Sequence, residues 1–240
     1  QRPESSIPDL NIVMNNSIVE RVNVFNFLGI LIDEHLTWKD HVNSVCMKIS
    51  KTLGIFRKLQ RSLTRETLLI MYNALIISKI HYGMLLWGAG GINRRLITLQ
   101  KKAIRLVCKA KYNSHCDPLF IHTKCLKITD MLNLNAIKFY FKYEADLLPV
   151  YFCDIFKQQF LTHDYATRNR NAPLSAIPKL EIARLSVRYF IPHVLKNMSP
   201  CVKNKISTHS LKGVSDYAKQ WFLKQYNLHC EIENCYVCRP

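Results

Sequence analysis

The sequence predicts a mainly α-helical fold that is preceded by a β-hairpin. From Val42 onward, apolar residues recur at intervals of three and four, which is the spacing of one face of a helix. The chain has 7 glycines, fewer than a protein built from many turns and short strands needs. Hydrophobic residues make up 48% of its 240 residues, so the helices can bury a substantial core.

The first part of the chain predicts extended structure. An Asn-Asn pair at 15–16 is a turn signal, and strand-forming residues follow over 18–24 and 27–32. The adjacent acids Asp33 and Glu34 are interpreted as the end of the second strand. We assign residues 1–36 to this hairpin.

A first long helix is predicted from Val42 to about Gln60. Thr37 and Asp40, three residues apart, have the spacing of a capping box, in which two side chains bond the free N–H groups at a helix start. Helical structure is therefore expected to begin close to Thr37.

The second predicted helix begins at Thr64 and contains the most apolar run of the chain, 68–77. Because this run is apolar nearly all round, it is expected in the core. Three glycines in the segment 87–91 are expected to end the helix, since a helix interior rarely tolerates them. The run is too short to span a bilayer, and Lys79 and His81 interrupt its extension, so no membrane partner is expected.

A third helix is predicted over 92–110 and a fourth over 128–148. The fourth turns four apolar residues inward: Met131, Leu134, Phe141 and Leu148. The same spacing explains its aromatic cluster at 139–143, which is interpreted as core rather than as a surface for stacking on bases. Residues 37–160 would then form one helical domain.

The remainder of the chain predicts a second, smaller unit. Residues 161–178 are polar and include two prolines, which is typical of a linker. Residues 179–240 are assigned to a small C-terminal unit.

Positive charge is concentrated in one part of the sequence. The chain carries 34 basic and 17 acidic side chains, a net charge of +17. Residues 41–115 hold fourteen of the basic residues and one acid, Glu66. Such a stretch favours a polyphosphate partner. The competing interpretation is that these side chains only solvate helix faces.

The third predicted helix has its basic residues on one side and its apolar residues on the other. A helical projection clusters Ile92, Leu96, Leu99, Ala103 and Leu106 opposite six basic residues: Arg94, Arg95, Lys101, Lys102, Arg105 and Lys109. Lys48, Lys51 and Lys58 fall on the outer face of the first helix. An ordinary surface helix mixes acids among its bases, so these nine residues are the predicted nucleic-acid-binding residues.

The cysteine content indicates a reducing compartment. Nine cysteines form an odd set, and no charged-then-apolar secretory segment precedes them. We therefore expect reduced thiols and an intracellular location, nuclear or cytoplasmic.

The C-terminus contains one pattern that could bind a metal. Cys230, Cys235 and Cys238, with His229, could supply a tetrahedral zinc site. The adjacent His229 and Cys230 would have difficulty reaching one ion, however, and a second Cys-x2-Cys pair is missing. The favoured prediction is that the chain binds no metal.

The sequence shows no catalytic signature. It lacks both standard glycine-rich phosphate loops, and no local nucleophile motif surrounds its serines or histidines. Two-metal phosphoryl transfer needs clustered carboxylates. Asp33 and Glu34 are the only adjacent acids, so no catalytic residue is predicted.

Four segments resemble a known family. Residues 27–30 (FLGI), 36–41 (LTWKDH), 81–88 (HYGMLLWG) and 99–106 (LQKKAIRL) are similar to the region after the catalytic core in LINE-type, jockey-like reverse transcriptases of non-LTR retrotransposons. The resemblance covers essentially the whole chain and is most specific in its first 110 residues. It implies a palm-edge hairpin with Phe27, Leu28 and Gly29 as primer-grip-like residues, and a helical thumb over 37–160.

The resemblance also implies a function. Members of the family copy RNA into DNA with Mg²⁺ held by an aromatic-x-Asp-Asp turn, which is expected upstream of Phe27. No Asp-Asp pair occurs in the chain, so we expect a non-catalytic C-terminal fragment that grips template–primer RNA and DNA and partners the missing palm and fingers.

Three alternatives stay open. An upstream region could restore the palm, which would make the product an active polymerase. The chain could instead be a zinc-stabilised adaptor that binds RNA or a protein. It could also be a degenerate transposon remnant without a selected role.

Overall fold

The computed structural model describes residues 12–152, 154–156, 179–198 and 210–226. The described part is mainly helical, with short antiparallel hairpins at its N-terminal end. The fold class predicted from the sequence is confirmed.

Two short hairpins occupy the region where one was predicted. β1 (Val13–Met14) pairs with β2 (Ser17–Ile18), and β3 (Val24–Phe27) pairs with β4 (Ile30–Asp33). Residues 19–23, predicted as strand, connect the two hairpins. The turn between β3 and β4 has positive φ at both central residues, 49° at Leu28 and 83° at Gly29. That geometry matches the twist of a two-residue hairpin.

Nine helices follow within the described ranges. They are α1 (Lys39–Leu59), α2 (Arg65–His81), α3 (Met84–Gly91), α4 (Arg94–Val107), α5 (Asp117–Thr123), α6 (Ile128–Glu144), α7 (Glu181–Leu185), α8 (Val187–Lys196) and α9 (Leu211–Lys224). Within α2, the segment Asn73–Ile77 is π-helical. A short 3₁₀ turn, Val150–Phe152, lies after α6.

A carboxylate from the hairpin holds the segment just before α1. Asp33 accepts hydrogen bonds from the backbone N–H groups of Thr37 (2.9 Å) and Trp38 (2.8 Å). Burial raises the pKa of Asp33, but these backbone bonds outweigh it and leave the pKa lowered. The predicted capping box of Thr37 and Asp40 was wrong, because Trp38 is the N-cap residue of α1 and no side chain caps the helix there. Asp33 is the last residue of β4, so its predicted position at a strand end is confirmed.

The glycine-rich segment is a helix, so the predicted break at 87–91 was wrong. The break lies at Tyr82 and Gly83, and Gly83 has a φ of 61°. The glycines of α3 permit close packing: an added Cβ would lie 2.8 Å from Leu132 at position 88 and 2.8 Å from Val42 at position 91. Tight contact with α1 and α6 thus offsets the low helix propensity of glycine.

The helices enclose one continuous core. α4 packs against α1 and α2, while α6 packs against α3, α8 and α9. The largest fully buried side chains include Trp87, Tyr72, Phe56 and Phe120. α2 is less enclosed than its composition predicts, because Ile70 is 68% exposed.

The described helices of the predicted C-terminal unit share this core. Ile191 of α8 and Val214, Ala218 and Phe222 of α9 are buried with it. The boundaries of the predicted units stay predictions, and the linker lies outside the described residues.

One tyrosine attaches the end of α9 to the start of α6. The Tyr226 hydroxyl donates to Asp130 Oδ2 (2.6 Å) and accepts from the backbone N–H of Lys127 (2.8 Å). The Lys127 ammonium also lies 4.3 Å from the centre of the Tyr226 ring. A contact between residues 99 positions apart therefore holds this corner together.

The aromatic cluster of α6 belongs to the core, as predicted. Phe139, Tyr140 and Tyr143 surround Phe156, with ring centres 5.0–6.3 Å apart. Leu148, predicted to lie in the helix, follows its end at Glu144 and is half-buried.

The described residues bear on two predictions made from composition, one about the cysteines and one about membrane-spanning helices. Cys46, Cys108, Cys116 and Cys125 are free thiols in the described part of the chain. Within the same residues, no single helix is long and apolar enough to cross a membrane, although the bent pair of α2 and α3 passes by length and composition alone.

His41 joins the hairpin to α1 and α3. Its Nδ1 accepts a hydrogen bond from the Leu31 N–H (3.3 Å), and its ring lies 5.4 Å from that of Trp87. Its Nε2 is buried without a hydrogen-bond partner. Burial lowers the pKa of His41, and the positive charge of Lys48 lowers it further.

The low pKa of His41 predicts acid sensitivity. As pH falls below about 6.5, His41 takes up a proton in the unfolded state before it does so in the folded state, so the free energy of unfolding decreases. One such group contributes at most about 1.4 kcal/mol per pH unit. Denaturant unfolding at pH 7.5 and 5.5 should show a smaller acid loss in His41→Asn than in wild type. His35→Asn, at an exposed histidine, is the control, and equal losses in all three proteins would contradict the prediction.

Two glycine-to-alanine changes in helices should have opposite signs. Gly91→Ala should lower stability by about 1–3 kcal/mol, because its Cβ would lie 2.8 Å from Val42 and 3.2 Å from Trp38. Gly54→Ala should raise the stability by about 0.5–1 kcal/mol, because the added Cβ would meet no atom of another part of the protein within 4 Å and alanine is the better helix former. Thermal and denaturant unfolding measure both; a stabilised Gly91→Ala would show that the α1–α3 contact is looser than described.

Candidate nucleic-acid interface

α4 has one buried face and one basic face. Leu96, Ala103, Ile104 and Val107 are fully buried, and Leu99 is 8% exposed. Four of the predicted binding residues are exposed on the opposite side: Arg94, Arg95, Lys101 and Lys102. Lys109 is also exposed, but it follows the end of α4 at Val107 and has a φ of 53°. Burial of the apolar face against α1 and α2 therefore directs the four exposed cations of α4 toward solvent.

The start of α4 carries charges that a helix alone disfavours. Asn93 caps the helix, with its Oδ1 accepting from the Leu96 N–H at 3.0 Å. Arg94 and Arg95 follow, and the first turn has no acid. The N-terminal end of a helix has a partial positive charge, so cations there lose about 0.3–1 kcal/mol each, whereas an anion would gain. An anionic partner would therefore be stabilised at the N-terminal end of α4.

α1 packs against α4. The charge of Arg95 at the start of α4 acts on Cys46 of α1: burial raises the pKa of the Cys46 thiol, and the positive charge of Arg95 opposes that shift. The start of α4 therefore lies close to the middle of α1.

The three predicted lysines of α1 lie elsewhere on that helix. Lys79 of α2 donates to Thr52 Oγ1 (3.1 Å), which places α2 along the Thr52 flank. Lys48 is exposed one turn before Thr52 and shares this flank. Lys51 and Lys58 are exposed on the outer side of α1. The structure does not bring these three lysines into the row on α4.

Arg105 is the one predicted residue of the α4 row that is partly buried. Its Nε donates to the Ser114 carbonyl oxygen at 2.8 Å. Part of its guanidinium therefore holds the loop after α4, so Arg105 is less available to a partner than the other basic residues of the helix. Ser114 lies beyond the end of α4, so the sequence of this helix alone could not show the contact.

The rotation of α4 about its axis is fixed by a buried glutamine. The Gln100 amide donates to the Tyr72 hydroxyl (3.2 Å) and the Leu126 carbonyl oxygen (2.9 Å) and accepts from the Ile128 N–H (3.0 Å). Gln100 is 1% exposed. Gln100 was not predicted as a functional residue from the sequence, although a lone amide on the apolar side of the helix was a visible signal.

The basic face of α4 is not neutralised within the described part of the chain. The ion pairs there are Arg21–Glu34, His35–Glu34 and Lys127–Asp117. The four exposed cations of α4 take no part in them, and neither does Lys109. Their charges are available to a polyanion.

The predicted primer-grip-like turn lies on other elements. Phe27 is 55% and Leu28 75% exposed. The Tyr82 hydroxyl donates to the Leu28 carbonyl oxygen at 2.6 Å, and the Gly29 N–H donates to Asn26 Oδ1 at 3.0 Å. The turn is thus held at the α2–α3 junction, whereas α4 packs on α1 and α2.

The described residues contain no group of three or more His, Cys, Asp or Glu side chains that could hold a metal ion. The candidate zinc ligands His229, Cys230, Cys235 and Cys238 lie outside the described residues.

Comparisons of the chain with protein-family models, curated proteins and solved structures find no match. The retrotransposon resemblance therefore rests on the sequences of four segments alone and stays a prediction; these segments are 27–30, 36–41, 81–88 and 99–106.

Replacing Gln100 should destabilise the protein. Gln100→Leu would leave the Ile128 N–H and the Leu126 carbonyl oxygen buried without partners, at a cost of about 2–4 kcal/mol. Denaturant unfolding gives the free energy, and Thr98→Ala, on the exposed side of α4, should change it by less than about 0.5 kcal/mol. A Gln100→Leu protein as stable as wild type would mean that the amide network does not orient α4.

Proposed function

We propose that this chain binds the phosphate backbone of duplex nucleic acid through the exposed basic face of α4. In keeping with the local sequence resemblance, we infer that it is the non-catalytic C-terminal part of a non-LTR retrotransposon reverse transcriptase, and that the duplex is a template–primer of RNA and DNA. The observation that carries the proposal is the unpaired basic row of α4, with two arginines at the helix start.

The length of the row suits a duplex. α4 has 14 residues, which corresponds to about 21 Å. A duplex of that length carries roughly twelve phosphates on its two strands, and a helix lying along one side would contact about four to six of them.

The chemistry of the row favours binding without sequence preference. Its exposed members are arginines and lysines on one regular helix, and contacts of such groups with phosphates position a protein without reading bases. A phosphate at the start of α4 would be stabilised in two ways. It would pair with Arg94 and Arg95, and it would also meet the free N–H groups and the positive end of the helix dipole.

Charge removal on α4 should weaken the salt dependence of binding. Wild type should bind duplex DNA and RNA–DNA hybrid with a slope of log K against log salt of roughly −4 to −5. The triple change Arg94→Gln, Arg95→Gln and Lys102→Gln should flatten this slope by about two to three units, since each phosphate contact contributes about 0.9. Titrations across a salt series on two unrelated duplex sequences measure it.

A matched triple change tests the position of the site. Lys48→Gln, Lys51→Gln and Lys58→Gln remove the same charge from α1 and should flatten the slope by less than about one unit. Circular dichroism checks that both variants fold. Equal slopes for the two triple variants would mean that net charge alone drives binding, and the α4 interface would be refuted.

A further inference from the structure

A second positively charged feature lies away from α4. A pocket of about 450 Å³ opens between the α2–α3 junction, α6 and the first residue of α9. Its size falls within the usual range of small-molecule sites, about 300–1,000 Å³. Gln100 contacts the first residue of α6, whereas the pocket residues Lys138 and Lys142 lie about 15–21 Å further along that helix. The pocket is therefore separate from the proposed duplex site.

One part of the pocket wall is cationic. Lys138 and Lys142 line it, and no carboxylate does. His81 lines it too, but burial and the positive charge of Lys138 lower the pKa of His81, so its neutral form is favoured. Within the described residues, neither lysine forms an ion pair. Burial lowers the pKa of Lys138; nearby Asp216 raises it, and the positive charges of Lys219 and Lys142 lower it. The site is under-neutralised, so an anion would be stabilised there.

The start of α9 adds hydrogen-bond donors at the same edge. Leu211, the first residue of α9, lines the pocket. Ser210 Oγ accepts from the Gly213 N–H at 3.3 Å. The N–H groups of Leu211 and Lys212 precede it and have no acceptor within the helix, as in the first turn of any helix. These donors add to the attraction that Lys138 and Lys142 exert on an anion.

The rest of the wall is mostly apolar. Met84, Leu85, Leu86 and Phe139 line it together with Leu211, and Asn135 is the one polar side chain among them. Inorganic phosphate would leave the apolar side chains uncovered, and a sugar phosphate would place most of its hydroxyl groups against them without partners. A planar base would cover it by contact with the Phe139 ring and the leucines.

We propose that this pocket binds a nucleoside monophosphate, with the phosphate between Lys138, Lys142 and the start of α9 and the base against Phe139 and Leu86. The ligand is recognised either as a free nucleotide or as the phosphorylated end of a strand, since both present the same group.

Calorimetric titration with AMP, adenosine and inorganic phosphate tests the site. AMP should bind at least tenfold more tightly than either adenosine or phosphate, because it alone engages both walls. Lys138→Gln and Lys142→Gln should each weaken AMP binding about tenfold, which is the usual loss for a hydrogen bond to a charged group. Lys102→Gln, the same charge change on α4, should leave AMP affinity unchanged.

Further titrations distinguish the two possible ligands, a strand end and a free nucleotide, and show which results would overturn the proposal. A 5′-phosphorylated dinucleotide that binds as tightly as AMP assigns the site to a strand end, and weaker binding assigns it to free nucleotide. Absent AMP binding at millimolar concentration, equal binding of AMP and phosphate, or unchanged AMP affinity in both folded lysine variants would each overturn the proposal. The α4 triple variant should keep its AMP affinity, so loss of duplex binding and loss of nucleotide binding are distinguishable.

Discussion

The orientation of α4 depends on the buried amide of Gln100. Apolar burial alone tolerates a range of rotations about a helix axis, because leucine and isoleucine contacts have little directional preference. Three hydrogen bonds to α2 and to the start of α6 select one rotation. The directions of Arg94, Arg95 and the α4 lysines then follow, since they are attached to the same rigid helix. A polar group in the core thus determines where charge lies on the surface.

Two positively charged surfaces in the described part of the chain differ in chemistry. The row on α4 is long and exposed, which suits an extended polyanion. The cations at the α6 pocket are fewer and face an apolar wall, which suits a small ligand with a charged end. Both surfaces combine side-chain cations with the start of a helix, so in each the backbone adds to the attraction for phosphate.

Local sequence patterns predicted the parts of the fold that depend on local physics. α1, α4 and α6 lie close to their predicted positions because their apolar spacing is regular. The glycines of α3 misled the prediction, since their propensity is offset by Val42 and Leu132, which are distant in sequence. The capping box was wrong for a related reason, because Asp33 of the preceding strand holds the Thr37 and Trp38 N–H groups and the N-cap of the helix lies one residue later than predicted, at Trp38. In the candidate site, the basic row could be predicted from one helix, whereas the anchoring of Arg105 to Ser114 required the packed structure.

The attachment of α9 to α6 through Tyr226 has a consequence for synthesis on the ribosome. α6 is complete at Glu144, but the helices that cover part of its apolar surface end at Lys196 and Lys224. At about 5–20 residues per second, the last of them emerges roughly 4–16 s later. During that interval the nascent chain displays an uncovered hydrophobic stripe, which is the kind of segment that chaperones bind.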